Sequence, residues 1–298
     1  MSEIRKLPAS AGAEWLLTGF GLLRKAPHTL GLLGVLWGLA ALLVMALSML
    51  HPVLATIGQF LLALAGPVFF GGLVWAVREV DEGRPARPQH LLQGLHDGRA
   101  PHLLVALLPQ LAAGLLLGGL LLLLLGSSGL QQLGEVMARL NEISQSGEQP
   151  DPQVIEALVA SLPAGRILLW LLLLVLTFAA MALALFTLSP QVMFQHRNGL
   201  LALRESLRGA TRNLLPMLVF FVLSFVAVFA IYFIVMVVAM IAQLVGGQTL
   251  ALLVAQLLLM AVVMPVMAGA VYAAWKQMFT VDVQHRPPPL QPDNIFAA

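Results

Sequence analysis

Apolar residues fall in six runs, at 29–50, 53–77, 102–125, 167–189, 214–245 and 250–275. Polar, proline-bearing or glycine-bearing breaks separate them. A helix rising about 1.5 Å per residue needs about 20 such residues to cross a hydrocarbon core of roughly 30 Å, so each run predicts one membrane span. Only His51-Pro52 separates the first two runs, and only Gly246-Gly247-Gln248-Thr249 separates the last two. Breaks that short predict antiparallel hairpins. The pattern therefore predicts an all-α polytopic membrane protein. It has six transmembrane helices arranged as three similarly oriented hairpins, with short amphipathic interfacial helices at 15–23, 91–95 and 200–210. Residues 1–28 form a cytoplasmic amphipathic segment, 29–279 the six-span domain with an outer loop at 126–165, and 280–298 a disordered cytoplasmic tail rich in proline (Pro287, Pro288, Pro289, Pro292).

Composition agrees: 59% of residues are apolar and 10% are charged, against roughly 25% charged in soluble domains. The first run lasts too long for a cleaved leader and reads as a retained span. With no cysteine in the chain, disulfides, thiolate catalysis and cysteine-ligated metals are excluded.

Charge then orients the spans. Of 16 basic residues, all but Arg139 and Arg166 lie in the N-terminal segment, the loops after spans two and four, or the tail. The 126–165 loop instead carries Glu135, Glu142, Glu148, Asp151 and Glu156. Basic residues concentrate on the cytoplasmic side, so both termini are expected in the cytoplasm.

Three segments repeat. Lys25-Ala26-Pro27-His28 precedes span one, Arg99-Ala100-Pro101-His102 precedes span three, and Arg212-Asn213-Leu214-Leu215-Pro216 opens span five. Pro67 and Pro265 are predicted kinks in spans two and six, each followed eleven residues later by a base, Arg78 or Lys276. Proline removes a helical hydrogen bond and bends the helix.

The opening Leu7-Pro8-Ala9-Ser10 with Trp15, the segment 204–216, and the ending from Met264-Pro265-Val266 through Tyr272 to Phe279 resemble an uncharacterised proteobacterial family of six-helix transmembrane proteins. The chain is also distantly similar to YciC-type inner-membrane proteins and to the membrane domain attached to some glycerophosphodiester phosphodiesterases. The resemblance implies a bacterial inner-membrane location and brings no catalytic residues.

No Asp, Glu, Lys or Arg lies inside a span, which argues against ion-coupled pumping. Gln59 and Gln256 are the candidate cavity-lining residues among the span interiors. Arg204, Arg208 and Arg212 recur every four residues, sharing one helix face, with Leu203, Leu207, Ala210 and Leu214 on another. They form a candidate lipid- or phosphate-binding site. Gly34/Gly38 and Gly114/Gly118 permit close helix approach, within the chain or between copies. His90, His96 and His102 have no helical ligand spacing, so neither a metal nor any other cofactor is expected. In the outer loop, Leu133, Met137 and Leu140 form one apolar stripe. Ile155, Leu158, Val159 and Leu162 form a second, after the helix start at Asp151-Pro152; the functional reading of this surface, outer loop 126–165, is docking of a protein partner. Expected partners are otherwise membrane lipids, with no nucleic acid.

The leading expectation is a non-enzymatic lipid- or protein-binding membrane component. The alternative is a passive carrier or channel-like protein for a small or amphipathic solute. A continuous polar cavity through Gln59 and Gln256 would favour the alternative, and a dry leucine-packed interior the first. A membrane enzyme ranks third, favoured only by ionisable side chains meeting at the cytoplasmic lip.

Overall fold

The computed structural model describes residues 4–146, 152–160 and 162–279. The tail 280–298, with Arg286, and the loop acids Glu148 and Asp151 lie outside the described residues, as does the Val159 side chain. Among the described residues the chain is all-helical. Five helical stretches are long and apolar enough to cross a membrane: Pro27–Leu50, Pro52–Asp81, Ala100–Ile143, Ala164–Gln195 and Leu214–Met278. They are consistent with a multi-pass membrane protein.

The helices follow in order: α1 (Ala11–Lys25), α2 (Pro27–Leu50), α3 (Pro52–Asp81), a 3-10 turn (Pro88–Leu92), α4 (Gln93–His96), α5 (Ala100–Leu103), α6 (Leu107–Ser146), α7 (Pro152–Ala160), α8 (Ala164–Leu185), α9 (Leu188–Gln195), α10 (Gly199–Arg212) and α11 (Leu214–Met278). Proline in the first turn starts α2, α3 and α5, where its missing N–H would have had no helical partner. Two long helices are interrupted. Gly126 in α6 has φ 67° and ψ −179°, and Gly247 in α11 has φ 73° and ψ −171°. Both conformations are open essentially to glycine alone. Residues on both sides of the α11 break, including Ala239, Gln243, Gln248 and Ala251, line one cavity. Pro67 and Pro265 instead lie within uninterrupted helical backbone.

The fourth apolar run differs from its expected form. The expected single span at 167–189 is α8 followed by a break at Phe186-Thr187 and then α9. Pro190, in the first turn of α9, conflicts with the carbonyl of residue 186 in a continuous helix. The Thr187 N–H freed there donates to the Ser206 hydroxyl at 2.9 Å.

The core sits at the end of the molecule where α2 and α11 begin and where α3 and α11 finish. Trp15, Leu30, Leu33, Leu73, Leu103, Met193, Met217 and Phe279 are fully buried there. At the opposite end Met49, Leu123 and Leu244 are exposed, and α8 buries none of its residues. Apolar surface on that scale is compatible with lipid rather than water as the solvent.

The short helices dock in a cycle. α1 packs on α11, the Pro88–Leu92 turn and α4 pack on α3, and α10 packs on α8 and α9. Glycines set the approach. A Cβ on Gly12 would overlap the Pro216 carbonyl, one on Gly19 the Val266 carbonyl, one on Gly72 the His90 and Leu91 carbonyls, and one on Gly199 the His102 carbonyl. Gly34 and Gly38 of α2 face Leu257, Met260 and Ala261, whereas a Cβ on Gly114 or Gly118 would meet nothing within 4 Å.

Candidate functional site

α10 presents three faces. Asn198 caps its start by accepting from the Leu201 N–H at 3.1 Å, satisfying one of the free first-turn donors. Ala202, Glu205, Ser206, Gly209 and Ala210 are buried: small residues bring the helix backbone against its neighbours. Glu205 pairs with Arg197 at 3.4 Å. At the far terminus Asn213 donates to the Gly209 and Arg5 carbonyls, both at 3.0 Å, and accepts from the Leu7 N–H at 2.8 Å. The remaining two faces are open. Arg204, Arg208 and Arg212 are exposed, as are Leu200, Leu207 and Leu214 beside them. A helix with arginines next to leucines fits a boundary between water and acyl chains.

Sequence periodicity had located the arginine face, but not the buried one, which is formed by small and polar residues. It also gave no sign of a second ionisable cluster at the same end. There Lys276 and the Tyr272 hydroxyl donate to Asp81 Oδ2 at 2.8 and 3.0 Å, joining α11 to α3. Arg78 pairs with Glu82 at 2.7 Å and lies 4.9 Å from the centre of the Phe194 ring. Arg84 pairs with Glu79 at 2.6 Å and also with Glu82. The hydrogen bond from Arg78 holds the Glu82 carboxyl below its ordinary range, against a smaller opposing effect of burial. Each of these carboxylates accepts from a cation, and the Asp81 contacts brace α3 against α11. The eleven-residue spacing from Pro67 to Arg78 and from Pro265 to Lys276 was the available signal that these two helix ends correspond.

His90 accepts the Arg87 N–H on Nδ1 at 3.2 Å. That bond needs the unprotonated ring, and burial lowers the His90 pKa in the same direction. Among the described residues no group of three His, Cys, Asp or Glu could hold a metal ion.

Gln59 is exposed on α3 and Gln256 is half-buried on α11. Neither lines the cavities described here, and the structure does not bring them together with the arginine face. A cavity of about 390 Å³ at Pro67 is lined by Trp37, Phe70, Gln110 and Ser189 among others. Gln243 and Gln248 line the cavity of about 300 Å³ beside the α11 break. A further cavity, of about 490 Å³, lies where α1 meets α2, against the end of α3 and the residues after it.

Comparison of the chain with family models, curated proteins and solved structures finds no match.

Proposed function

We propose that the chain is a non-enzymatic component of the bacterial inner membrane. In this proposal it spans the bilayer six times as three similarly oriented hairpins with both termini in the cytoplasm, and it binds anionic lipid through α10. The observation that carries the proposal is the exposed arginine face of α10 beside exposed Leu200, Leu207 and Leu214, at the end of the molecule that also holds the packed core.

Support for the third hairpin comes from α1. Its Gly12 abuts Pro216 and its Gly19 abuts Val266. At 1.5 Å per residue a straight helix would hold those two positions roughly 75 Å apart, yet the two glycines are about 10 Å apart along α1. The break at Gly246-Gly247 supplies the turn. The repeat is supported at two of the three junctions between a short helix and the span it feeds; the third, Arg99 (φ −94°, ψ −7°), differs. Ala26 (φ −141°, ψ 60°) and Asn213 (φ −123°, ψ 39°) share an uncommon backbone conformation.

Orientation is tested on the cysteine-free background. Single Ser10→Cys and Ser128→Cys variants place one thiol at each exposed end. In intact spheroplasts an impermeant maleimide is expected to label position 128 and to reach position 10 only after permeabilisation; the reverse pattern overturns the orientation.

Lipid binding is tested by native mass spectrometry of gently extracted protein. An Arg204/Arg208/Arg212→Ala variant is expected to lose most of the retained anionic lipid while keeping its fold, because none of the three guanidinium groups has a hydrogen-bond or ion-pair partner among the described residues. Equal retention in both proteins removes α10 as the lipid site. Attention then shifts to solute flux, with the cavity at Pro67 as the place a carrier would hold an amphipathic solute.

A further inference from the structure

The cyclic docking of the short helices leaves one position unfilled. Gly12 stands fourteen residues before the junction residue Ala26, and Gly199 fourteen before Asn213. Each sits in the notch beside the first turn of another unit's membrane helix: Gly12 against Pro216 and Phe220, Gly199 against His102 and Val105. The N-cap residues of the membrane helices are Ala26, Arg99 and Asn213, the second of them one residue before its sequence match at Ala100. His102 and Pro216 each stand three residues past their cap, as Thr29 does; the third notch therefore lies beside Thr29, facing the residue fourteen before Arg99.

That residue is Pro85, and it lines the cavity of about 490 Å³ together with Thr29. No helix fills the notch here, because the third short segment is cut down. Pro85 and Pro88 remove backbone donors, Arg87 is extended (φ −129°, ψ 150°), and only a 3-10 turn and four-residue α4 follow. What remains is a hollow with Lys25, His28 and Arg84 on its walls and no carboxylate among its lining residues. Arg84 is held in place by Glu79 and Glu82, so its charge is largely answered. Lys25 is exposed and makes no hydrogen bond or ion pair among the described residues; its charge acts at longer range on the Asp81 carboxylate, which Lys276 and Tyr272 already engage.

We infer that this notch is a phosphate site, with Lys25 and the His28 imidazole contacting the phosphate oxygens and Arg84 fixing the opposite wall. A compact ammonium is suited to phosphate as a point charge. Ala26, Pro27 and Val80 supply apolar lining around it, so the phosphate arrives either on a lipid headgroup or free. The site is separate from the arginine face of α10 and does not depend on it.

The test uses full-length protein in detergent, titrated with phosphatidylglycerol, phosphatidylcholine or inorganic phosphate, with the thermal midpoint as readout. Wild type and the Arg204/Arg208/Arg212→Ala protein are both expected to be stabilised by phosphatidylglycerol and not by phosphatidylcholine. In the Arg204/Arg208/Arg212→Ala background, where α10 no longer contributes and in which both notch variants are made, Lys25→Gln/His28→Gln is expected to need at least about tenfold more phosphatidylglycerol for the same shift, the worth of one lost charged contact. Its unliganded midpoint should match that of this background, since both side chains are exposed. Thr29→Phe, which fills the notch and keeps every charge, is expected to lose the response too. Stabilisation by inorganic phosphate as well assigns a free phosphate; stabilisation by the lipid alone assigns the headgroup. An unchanged titration in the double variant, or an unchanged one in Thr29→Phe, overturns the site. Loss of the response in the α10 variant alone would assign it to α10 and overturn the notch.

Discussion

Replacing Trp15 with alanine is expected to cost about 3–5 kcal/mol, the range for deleting a fully buried aromatic side chain. The indole is completely buried. Its ring lies 5.9 Å from that of Phe186 and 6.1 Å from that of Phe220, and its Nε1–H donates to Gln277 Oε1 at 2.8 Å. One side chain of α1 thus touches the break after α8 and both ends of α11. The check is the thermal midpoint and the monodisperse fraction of purified protein. Trp15→Phe should keep most of the ring packing and lose the hydrogen bond, for about 1–3 kcal/mol. If Trp15→Ala melted within about 1 kcal/mol of wild type, the base of the molecule would not be the packed core described here.

The second large effect is expected at Gly19. Its α-carbon lies against Gly269, and any Cβ would overlap the Val266 carbonyl while crowding the Ala270 nitrogen. Backbone cannot move aside as a flexible side chain can, so Gly19→Val must push α1 off α11. Overpacking typically costs about 1–3 kcal/mol, and a rigid backbone neighbour on each side puts this case at or above the top of that range. Gly21, two residues along the same helix, meets nothing within 4 Å. Gly21→Ala is therefore expected to leave the midpoint unchanged or raise it by up to about 1 kcal/mol through helix propensity. Equal behaviour of the two variants would mean that α1 does not dock through this contact.

The apolar runs and their breaks were legible because each is written locally. His51-Pro52, Gly126 and Gly246-Gly247 end long helical segments in the structure where the pattern ends them in the sequence. The break before α9 was hidden, since Leu185-Phe186-Thr187-Leu188 continues the apolar run and the partner of the Thr187 N–H, Ser206, is supplied by a distant helix. Pro190 signalled it weakly, because Pro67 and Pro265 sit in the same kind of sequence without interrupting their helices. The arginine face of α10 was readable from four-residue spacing alone. Its buried face was not: Ala202, Ser206 and Gly209 look neutral until the neighbour they admit is known. The Lys25–Arg84 notch was out of reach for the same reason, as its two walls come from different helices and its meaning depends on the cycle of docked helices.

That cycle also sets a timetable for biogenesis. α1 is made before α11, yet its seat is formed by the opening turns and the last turns of α11, and Trp15 finds Gln277 across 262 residues. At about 5–20 residues per second of translation, α1 waits roughly 13 to 50 s for that seat to emerge from the ribosome. Until then Trp15, Leu16 and Leu22 lack the neighbours that bury them. Contacts so remote in sequence form late and slowly. The nascent protein thus passes through a period in which its largest fully buried side chain has no seat, and α1 can dock only once α11 is complete.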